Sequence, residues 1–570
     1  MAKIKFLFQH VYLVLFCVQA YQVIIDGLVI DGCDTEICRQ FAANRARKQQ
    51  ERNQVLSKYR DRFFRSDVNH WIGDLTFQEL IYQLQTRRLS AVQVLSAFIG
   101  RAVNATDEFN CVTEFVPDAM KWAIELDSLP YLKGPLHGVP FCVKDDHKIK
   151  GMDTTLGYSR NLYRPAHKTA TLVKIYQDLG AVPFCKTNVP QTLVTFGSDN
   201  PIFGTTVNPL NKRLSPAGSS SGSGCIVGSK AIPFATGTDG AGSGRLPAHF
   251  NGVSSIISTP KRISVEGLQA AIPKLLGLNT VPAIFADKPS TLTTIYKALT
   301  ENNIQNLNDP TTVPLPWRPQ LFEEKRPLRF GYLTSMPYFP TLGDTPLVIE
   351  ETKRRLEALG HTGVPFQMPD GHLLMKTFTD ILFADRGQYL SSQIKDDKIA
   401  SSFVVQNLGL KFPTVQRKLA TVLPVTGNLE LLLKIGLDSE KSAGLQETVD
   451  VARRIQKQIL QQMQENNLDL LLTPVFPVPA LRLDDPGNLV LALCYVVPWN
   501  LAEFPVGVIP MGIESGKNID AVNTNGDFFL SLAKTNLQNA IGMPIGVQIV
   551  GKPFQEELIL RTLQELETSK

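Results

Sequence analysis

This 570-residue chain is poor in the residues that bind metal ions. Its eight cysteines are dispersed without a Cys-x-x-Cys pair, and its eight histidines form no cluster. Cys33 and Cys38 bracket four residues, but no second pair completes a zinc set, so neither a metal nor a cofactor is expected. The thiols keep two readings: free in a reducing compartment, the default for dispersed cysteines, or a Cys33–Cys38 disulfide facing an oxidising lumen. None of the histidines stands in a recognisable pair with an acid, which removes the usual base for a hydroxyl nucleophile. The basic residues come without interleaved aromatics or a binding motif, so nucleic acid is not an expected partner. Internal repeats and Pro/Gly/Ser linkers are also missing. Length alone would suggest about three or four domains, yet nothing in the composition divides the chain.

What is present is concentrated between Leu214 and Pro247. Two serine-glycine loops, Gly218-Ser219-Ser220-Ser221-Gly222 and Gly240-Ala241-Gly242-Ser243-Gly244, flank an apolar stretch that fits a buried strand or helix. Glycine lets backbone approach a ligand closely. Serine offers a hydroxyl nucleophile that needs a base. A nucleophile beside clustered backbone N–H groups is the layout of an acyl-transfer site. For the base, Val139 to Val143 reads as a buried strand that delivers Lys144 at its C-terminal end. Desolvation there would lower the lysine pKa towards the neutral amine a base requires. Asp145 and Asp146 beside it could instead hold the lysine charged, as a solvated strand end.

Taken together, Lys144 and the two loops resemble the amidase signature family. Its pattern is a strand ending in lysine, then Gly-Gly-Ser-Ser-Gly-Gly, then Gly-Thr-Asp-x-Gly-Gly-Ser-x-Arg. Lys144 matches the lysine, Ser219 the first serine of the pair and Ser243 the nucleophile, framed by Gly237, Thr238, Asp239 and Arg245. The resemblance continues through Thr187-Asn188-Val189-Pro190, Asn208-Pro209, Leu472-Thr473-Pro474, Phe504-Pro505-Val506-Gly507 and Gly542-Met543-Pro544 to Gln548. It implies an α/β fold: one large domain, 71–567, with a central mixed sheet covered by helices. Alternating apolar runs, such as Leu468 to Leu472, and helical patterns, such as Thr448 to Gln464, read the same way.

The resemblance also implies a Ser–Ser–Lys triad of Lys144, Ser219 and Ser243, and a cis peptide bond before Ser219. The N–H groups of Gly240, Ala241, Gly242 and Ser243 would receive the oxyanion, with Thr238, Asp239 and Arg245 as loop supports. Within the family, the apolar N-terminus and Asn110-Cys111-Val112-Thr113 point to the branch that hydrolyses fatty acid amides, and homodimers are common. Some glycines differ: Ala217 and Ser221 replace glycines of the first motif, Ala241 one of the second, and Gly240 and Gly244 replace branched residues. Ala241 suits the loop if its φ is negative. The altered motifs leave open a catalytically silent binding protein, or an amidase for a more polar amide.

Phe6 to Ile25 is long enough to span a bilayer, although Gln9, His10, Gln19 and Gln22 interrupt it. It reads as a signal-anchor or a cleavable signal within an N-terminal hydrophobic segment, 1–30. The segment 31–70 follows, with nine Lys or Arg between Arg39 and Arg65 against Glu51 and Asp61, either a solvated helix or one drawn to anionic headgroups. A second membrane candidate is Lys398 to Lys434, where Pro413 could open a helix with Val415, Leu419 and Val422 on one face. A buried amphipathic helix is the other reading. The resemblance favours an endomembrane enzyme with its catalytic domain in the cytosol. The sequon Asn104-Ala105-Thr106 would carry a glycan only in the lumen.

Overall fold

The computed structural model describes residues 35–64, 67–336, 339–404, 407 and 444–569. The described residues include thirteen strands, most of them apolar runs. In chain order they are β1 (Val112–Phe115), β2 (Pro140–Lys144), β3 (Val182–Thr187), β4 (Asp199–Asn200), β5 (Gly204–Thr205), β6 (Phe234–Asp239) and β7 (Ser254–Ile257). There follow β8 (Val281–Ala286), β9 (Arg329–Tyr332), β10 (Thr362–Pro365), β11 (Leu470–Pro474), β12 (Val506–Ile513) and β13 (Pro544–Gly551). Eleven of them make one mixed sheet in the order β1-β3-β2-β6-β8-β7-β12-β13-β11-β9-β10, and β4 and β5 pair separately. Most central strands are buried along their whole length, the pattern of a sheet covered on both faces. This is the single α/β domain that the sequence resemblance implied.

Two features of the sheet position the site. β2 runs parallel to both β3 and β6, so the C-terminal ends of all three lie at one edge. Ligands of open α/β sheets bind beyond such ends. Each serine loop then feeds a short helix, α3 (Ser221–Gly228) and α4 (Arg245–Asn251). The apolar stretch between the loops is therefore a helix followed by strand β6.

Numbering the longer N-terminal helices α1 (Glu36–Tyr59) and α2 (Ala91–Phe109), both start where a capping residue predicts. Thr35 accepts from Cys38 N–H, and Ser90 forms a reciprocal capping box with Gln93. In α2, Val94, Leu95, Phe98, Ile99, Ala102 and Val103 form the buried stripe, and Asn110 ends the helix in the left-handed region. The sequon lies inside this helix. Thr106 is buried and donates to Ala102 O at 2.6 Å, so the segment is not the exposed loop a glycan acceptor uses.

Most of the basic segment is helical; Arg39, Arg47, Lys58, Arg60 and Arg62 stay exposed, and Arg45, Lys48 and Arg52 turn inward. Lys48 is buried between Glu114 (2.6 Å) and Asp153 (3.1 Å). Burial would push its ammonium down, but the two carboxylates carry it above its ordinary value. Arg45 pairs with Asp397 at 2.9 Å, Arg52 donates to Asn110 and the Val112 carbonyl, and Arg47 lies over the Tyr163 ring. Arg45, Lys48 and Arg52 dock the helix on the domain, and Arg47 stacks on Tyr163 at the surface. No helix among the described residues is long and apolar enough to cross a membrane, and Phe6–Ile25 and residues 408–443 lie outside them.

Among the described residues the free-thiol expectation fails at three cysteines. Cys142 on β2 and Cys185 on β3 are register partners with Cα atoms 4.8 Å apart, and they are disulfide-bonded. Cys38 is also disulfide-bonded, and Cys33 lies outside the described residues. Cys111, Cys225 and Cys494 are buried thiols.

Two stability predictions follow from these placements. Lys48→Met keeps the apolar stem but strands Glu114 and Asp153, and should cost about 3 kcal/mol in a denaturant titration. Ala217 sits at φ +57°, in the left-handed region that glycine occupies freely. Ala217→Gly should therefore raise stability by up to about 1 kcal/mol, read as a higher melting temperature with fold unchanged.

Candidate active site

Lys144 ends β2 with its side chain fully buried. Its Nζ lies 2.9 Å from Ser219 Oγ, 2.7 Å from Thr238 Oγ1 and 3.2 Å from Asp146 Oδ2. Burial is the largest influence on this amine and lowers its pKa, against the opposing pull of Asp146 and Asp239. The neighbouring Asp145 turns away to pair with Lys186 of β3. The alternative of a solvated strand end is thus excluded.

The serines of the first loop divide by role. Ser220 Oγ donates to Thr238 O at 3.2 Å, Ser221 Oγ to Asn188 O at 3.1 Å, and Ser223 Oγ to Thr236 O at 2.8 Å. Each fixes the loop or α3 to a neighbouring strand or turn. Ser219, 2% exposed, is the loop serine whose hydroxyl faces Lys144. The Gly218–Ser219 peptide bond is cis, as the resemblance implies. The Ser220 N–H donates to Ser243 O at 3.3 Å, tying the two serine loops together.

The second loop wraps around one carboxylate. Asp239, at the end of β6, accepts from the N–H groups of Gly242 (2.8 Å) and Gly244 (2.9 Å), from Arg245 Nε (3.0 Å) and from Asn500 Nδ2 (2.9 Å). Burial would raise this carboxyl, but Arg245, Asn500 and the Gly242 N–H hold it down to about 2. Arg245 continues to the carbonyl of Val496 and the side chain of Gln548. Asp239 and Arg245 are therefore the supports that the resemblance implies. Gly240, Ala241 and Ser243 are only partly buried, so this edge of the loop opens outward.

The four N–H groups expected to receive an oxyanion differ in their present partners. The Gly242 N–H is committed to Asp239, whereas among the described residues the N–H groups of Gly240, Ala241 and Ser243 have no protein acceptor. Ala241 is not in the left-handed region, so its methyl group is compatible with the loop. Gly242 is the position that requires glycine. Its φ is +102°, and a Cβ there would stand 2.6 Å from Val496 Cγ2.

Sequence reasoning missed three contacts. Thr238 is more than a support, because its hydroxyl touches both Lys144 Nζ and Asp146 Oδ2, the latter at 2.5 Å. Asp146 Oδ1 in turn lies 2.6 Å from Nδ1 of buried His147. Histidine–acid pairs do exist here, this one and His361 with Glu565 at 3.1 Å. The adjacency Asp146-His147 was the available signal, but side chains of neighbouring residues meet only because the chain turns immediately after β2. Among the described residues no group of three His, Cys, Asp or Glu is placed to hold a metal ion.

Comparison with known proteins agrees with this architecture. The family model for Amidase matches residues 93–560. Fatty acid amide hydrolase 1 of Caenorhabditis elegans is 32% identical over 511 residues, 87% of this chain and 88% of that protein. Fatty-acid amide hydrolase 1 of Sus scrofa is 30% identical over 552 residues, 95% of this chain and 94% of its own length. A solved fatty acid amide hydrolase shares the fold, with a TM-score of 0.77 at 23% identity, covering 93% of this chain and 95% of its own. The chain belongs to the amidase family and is a hydrolase of amide bonds.

Proposed function

We propose that this amidase hydrolyses lipophilic carboxamides of the fatty acid amide class in two acyl-transfer steps, with Ser243 as nucleophile, Ser219 as relay and Lys144 as base. The observation that carries this reading is the fully buried Lys144 amine 2.9 Å from Ser219 Oγ. Lys144 takes the proton of Ser219, Ser219 takes that of Ser243, and Ser243 Oγ bonds to the carbonyl carbon. The oxyanion meets the N–H groups of Gly240, Ala241 and Ser243. Protonated Lys144 then returns its proton through Ser219 to the leaving amine. Water, deprotonated by the same relay, releases the acid. The lipophilic substrate class is supported by the names of the two relatives and by their coverage of most of this chain.

Association with a membrane surface belongs to the same proposal. Thr35, where the described N-terminus begins, donates to Asp396 Oδ1 at 3.2 Å. The hydrophobic segment 1–30 and the stretch Lys398 to Lys434 are the two parts of the chain that would meet that membrane surface. One bilayer could engage both, with the catalytic domain in the cytosol. The homodimer common in the family is kept as part of this reading.

The mechanism is tested by two substitutions. Ser243→Ala should lose both labelling by a serine-directed phosphonate and turnover of a fatty-acyl amide, and labelling retained at Ser220 or Ser221 would overturn the assignment. Wild-type turnover should rise with pH as Lys144 loses its proton, then flatten above its depressed pKa. Lys144→Ala should lose about 10²–10⁴-fold at neutral pH and climb steeply with hydroxide. Wild-type turnover and pH dependence in that variant would remove the lysine from the mechanism. For the membrane, protein lacking residues 1–30 should still sediment with anionic liposomes at low salt. Retention should fall when Val415 and Leu419 are replaced by Asp, and a truncated protein that stays wholly in solution would exclude the second membrane site.

A further inference from the structure

We infer that Asp146 is a positioning residue for the amidase reaction: with the Thr238 hydroxyl, its carboxylate aims the lone pair of Lys144 at Ser219 and balances the charge that forms on Lys144. The inference rests on the reading of Lys144 as the base. An unprotonated amine has two N–H donors and one lone pair, and Lys144 Nζ has three polar neighbours: Ser219, Thr238 and Asp146. The carboxylate can only accept. The Thr238 hydroxyl has a single hydrogen, and its oxygen stands 2.5 Å from Asp146 Oδ2, so the hydrogen is committed there and the oxygen faces Lys144 as an acceptor. Both amine N–H bonds are thereby directed to Asp146 and Thr238. The lone pair is left for Ser219, whose proton is the one it must take.

Asp146 is itself held in place. Its Oδ1 pairs with His147 Nδ1 at 2.6 Å, and its backbone carbonyl accepts from Gln269 N–H at 2.8 Å. The other charged groups on the packed elements face elsewhere: Asp145 pairs with Lys186 of β3, and Asp239 at the end of β6 pairs with Arg245 of α4. As Ser243 attacks, its O–H breaks and Ser219 is reprotonated. The Ser219 O–H also breaks, and an N–H bond forms on Lys144. The new positive charge arises 3.2 Å from the Asp146 carboxylate, in a buried setting where such attraction is much stronger than in water. Burial alone can lower a lysine by as much as 3–5 units, leaving an amine too weak to take a hydroxyl proton. Asp146 returns part of that basicity, towards the value near working pH at which a general base is most effective.

Asp146→Asn keeps the shape and removes the charge. With the full chain and a medium-chain fatty-acyl p-nitroanilide, the acid-side midpoint of the pH–rate profile should fall by about one pH unit. The plateau kcat should fall about tenfold or more, with KM little changed. Added to Lys144→Ala, the same substitution should change neither the residual rate nor its pH dependence. An unchanged midpoint and plateau in Asp146→Asn would overturn the inference, as would an equal loss in the Lys144→Ala background, the mark of a merely structural role. If Asp146→Asn does not fold by circular dichroism, folded Asp146→Ser is titrated with formate. Restored turnover supports the inference, and no restoration overturns it. Full activity in Lys144→Ala would defeat the base assignment itself, whereas an inactive Lys144→Ala beside an unaffected Asp146→Asn would defeat this inference alone.

Discussion

The buried contact between Asp239 and Arg245 organises the rest of the site. Its carboxylate ends β6, collects two backbone N–H groups of the Ser243 loop and holds the guanidinium that begins α4. Arg245 then reaches Val496 and Gln548, so the loop is referenced to β13 as well as β6. A buried ion pair is not in itself a source of stability, because desolvation offsets its attraction. What it supplies here is geometry. Losing either partner would leave an unpaired charge and release the loop whose curvature turns Gly240, Ala241 and Ser243 outward.

A second constraint acts from the opposite side. β2 and β6 run parallel and deliver Lys144 and Thr238 to the same edge, while the Ser220 hydroxyl and N–H connect the first serine loop to β6 and to Ser243. The first loop is therefore held between Lys144 and the Ser243 loop. His249, later on α4, locks its neutral ring between the Val478 carbonyl and the Gly546 N–H. Burial lowers its pKa to about 4, so it stays uncharged through the physiological range.

Much of this was legible in the sequence, and the misses share a physical cause. Lys144, Ser219 and Ser243 stand out because a strand end and two glycine loops have local signatures, and the α/β class follows from apolar runs alternating with amphipathic ones. The Cys142–Cys185 bond was invisible because it depends on which strands become neighbours, not on their sequence separation of 43. The docking of Arg45 and Lys48 was invisible for the same reason, since the acids that receive them lie far along the chain. Thr238 was seen only as part of the Gly-Thr-Asp frame. Its contact with Lys144 needed the parallel register of β2 and β6. The glycine changes were read as possible damage, and they divide: Ala241 avoids the left-handed region, whereas Ala217 lies in it.

The docking of α1 also has a temporal side. Arg45 and Asp397 are separated by 352 residues, so at synthesis rates of about 5–20 residues per second the acid leaves the ribosome roughly 20–70 s after its partner. Glu114 and Asp153 arrive sooner, yet β11, β12 and β13, the centre and far side of the sheet, come later still. The helix made among the first elements can therefore dock fully only among the last. Until Asp397 emerges, Arg45 of the nascent helix lacks its acid, whereas Lys48 can already meet Glu114 and Asp153.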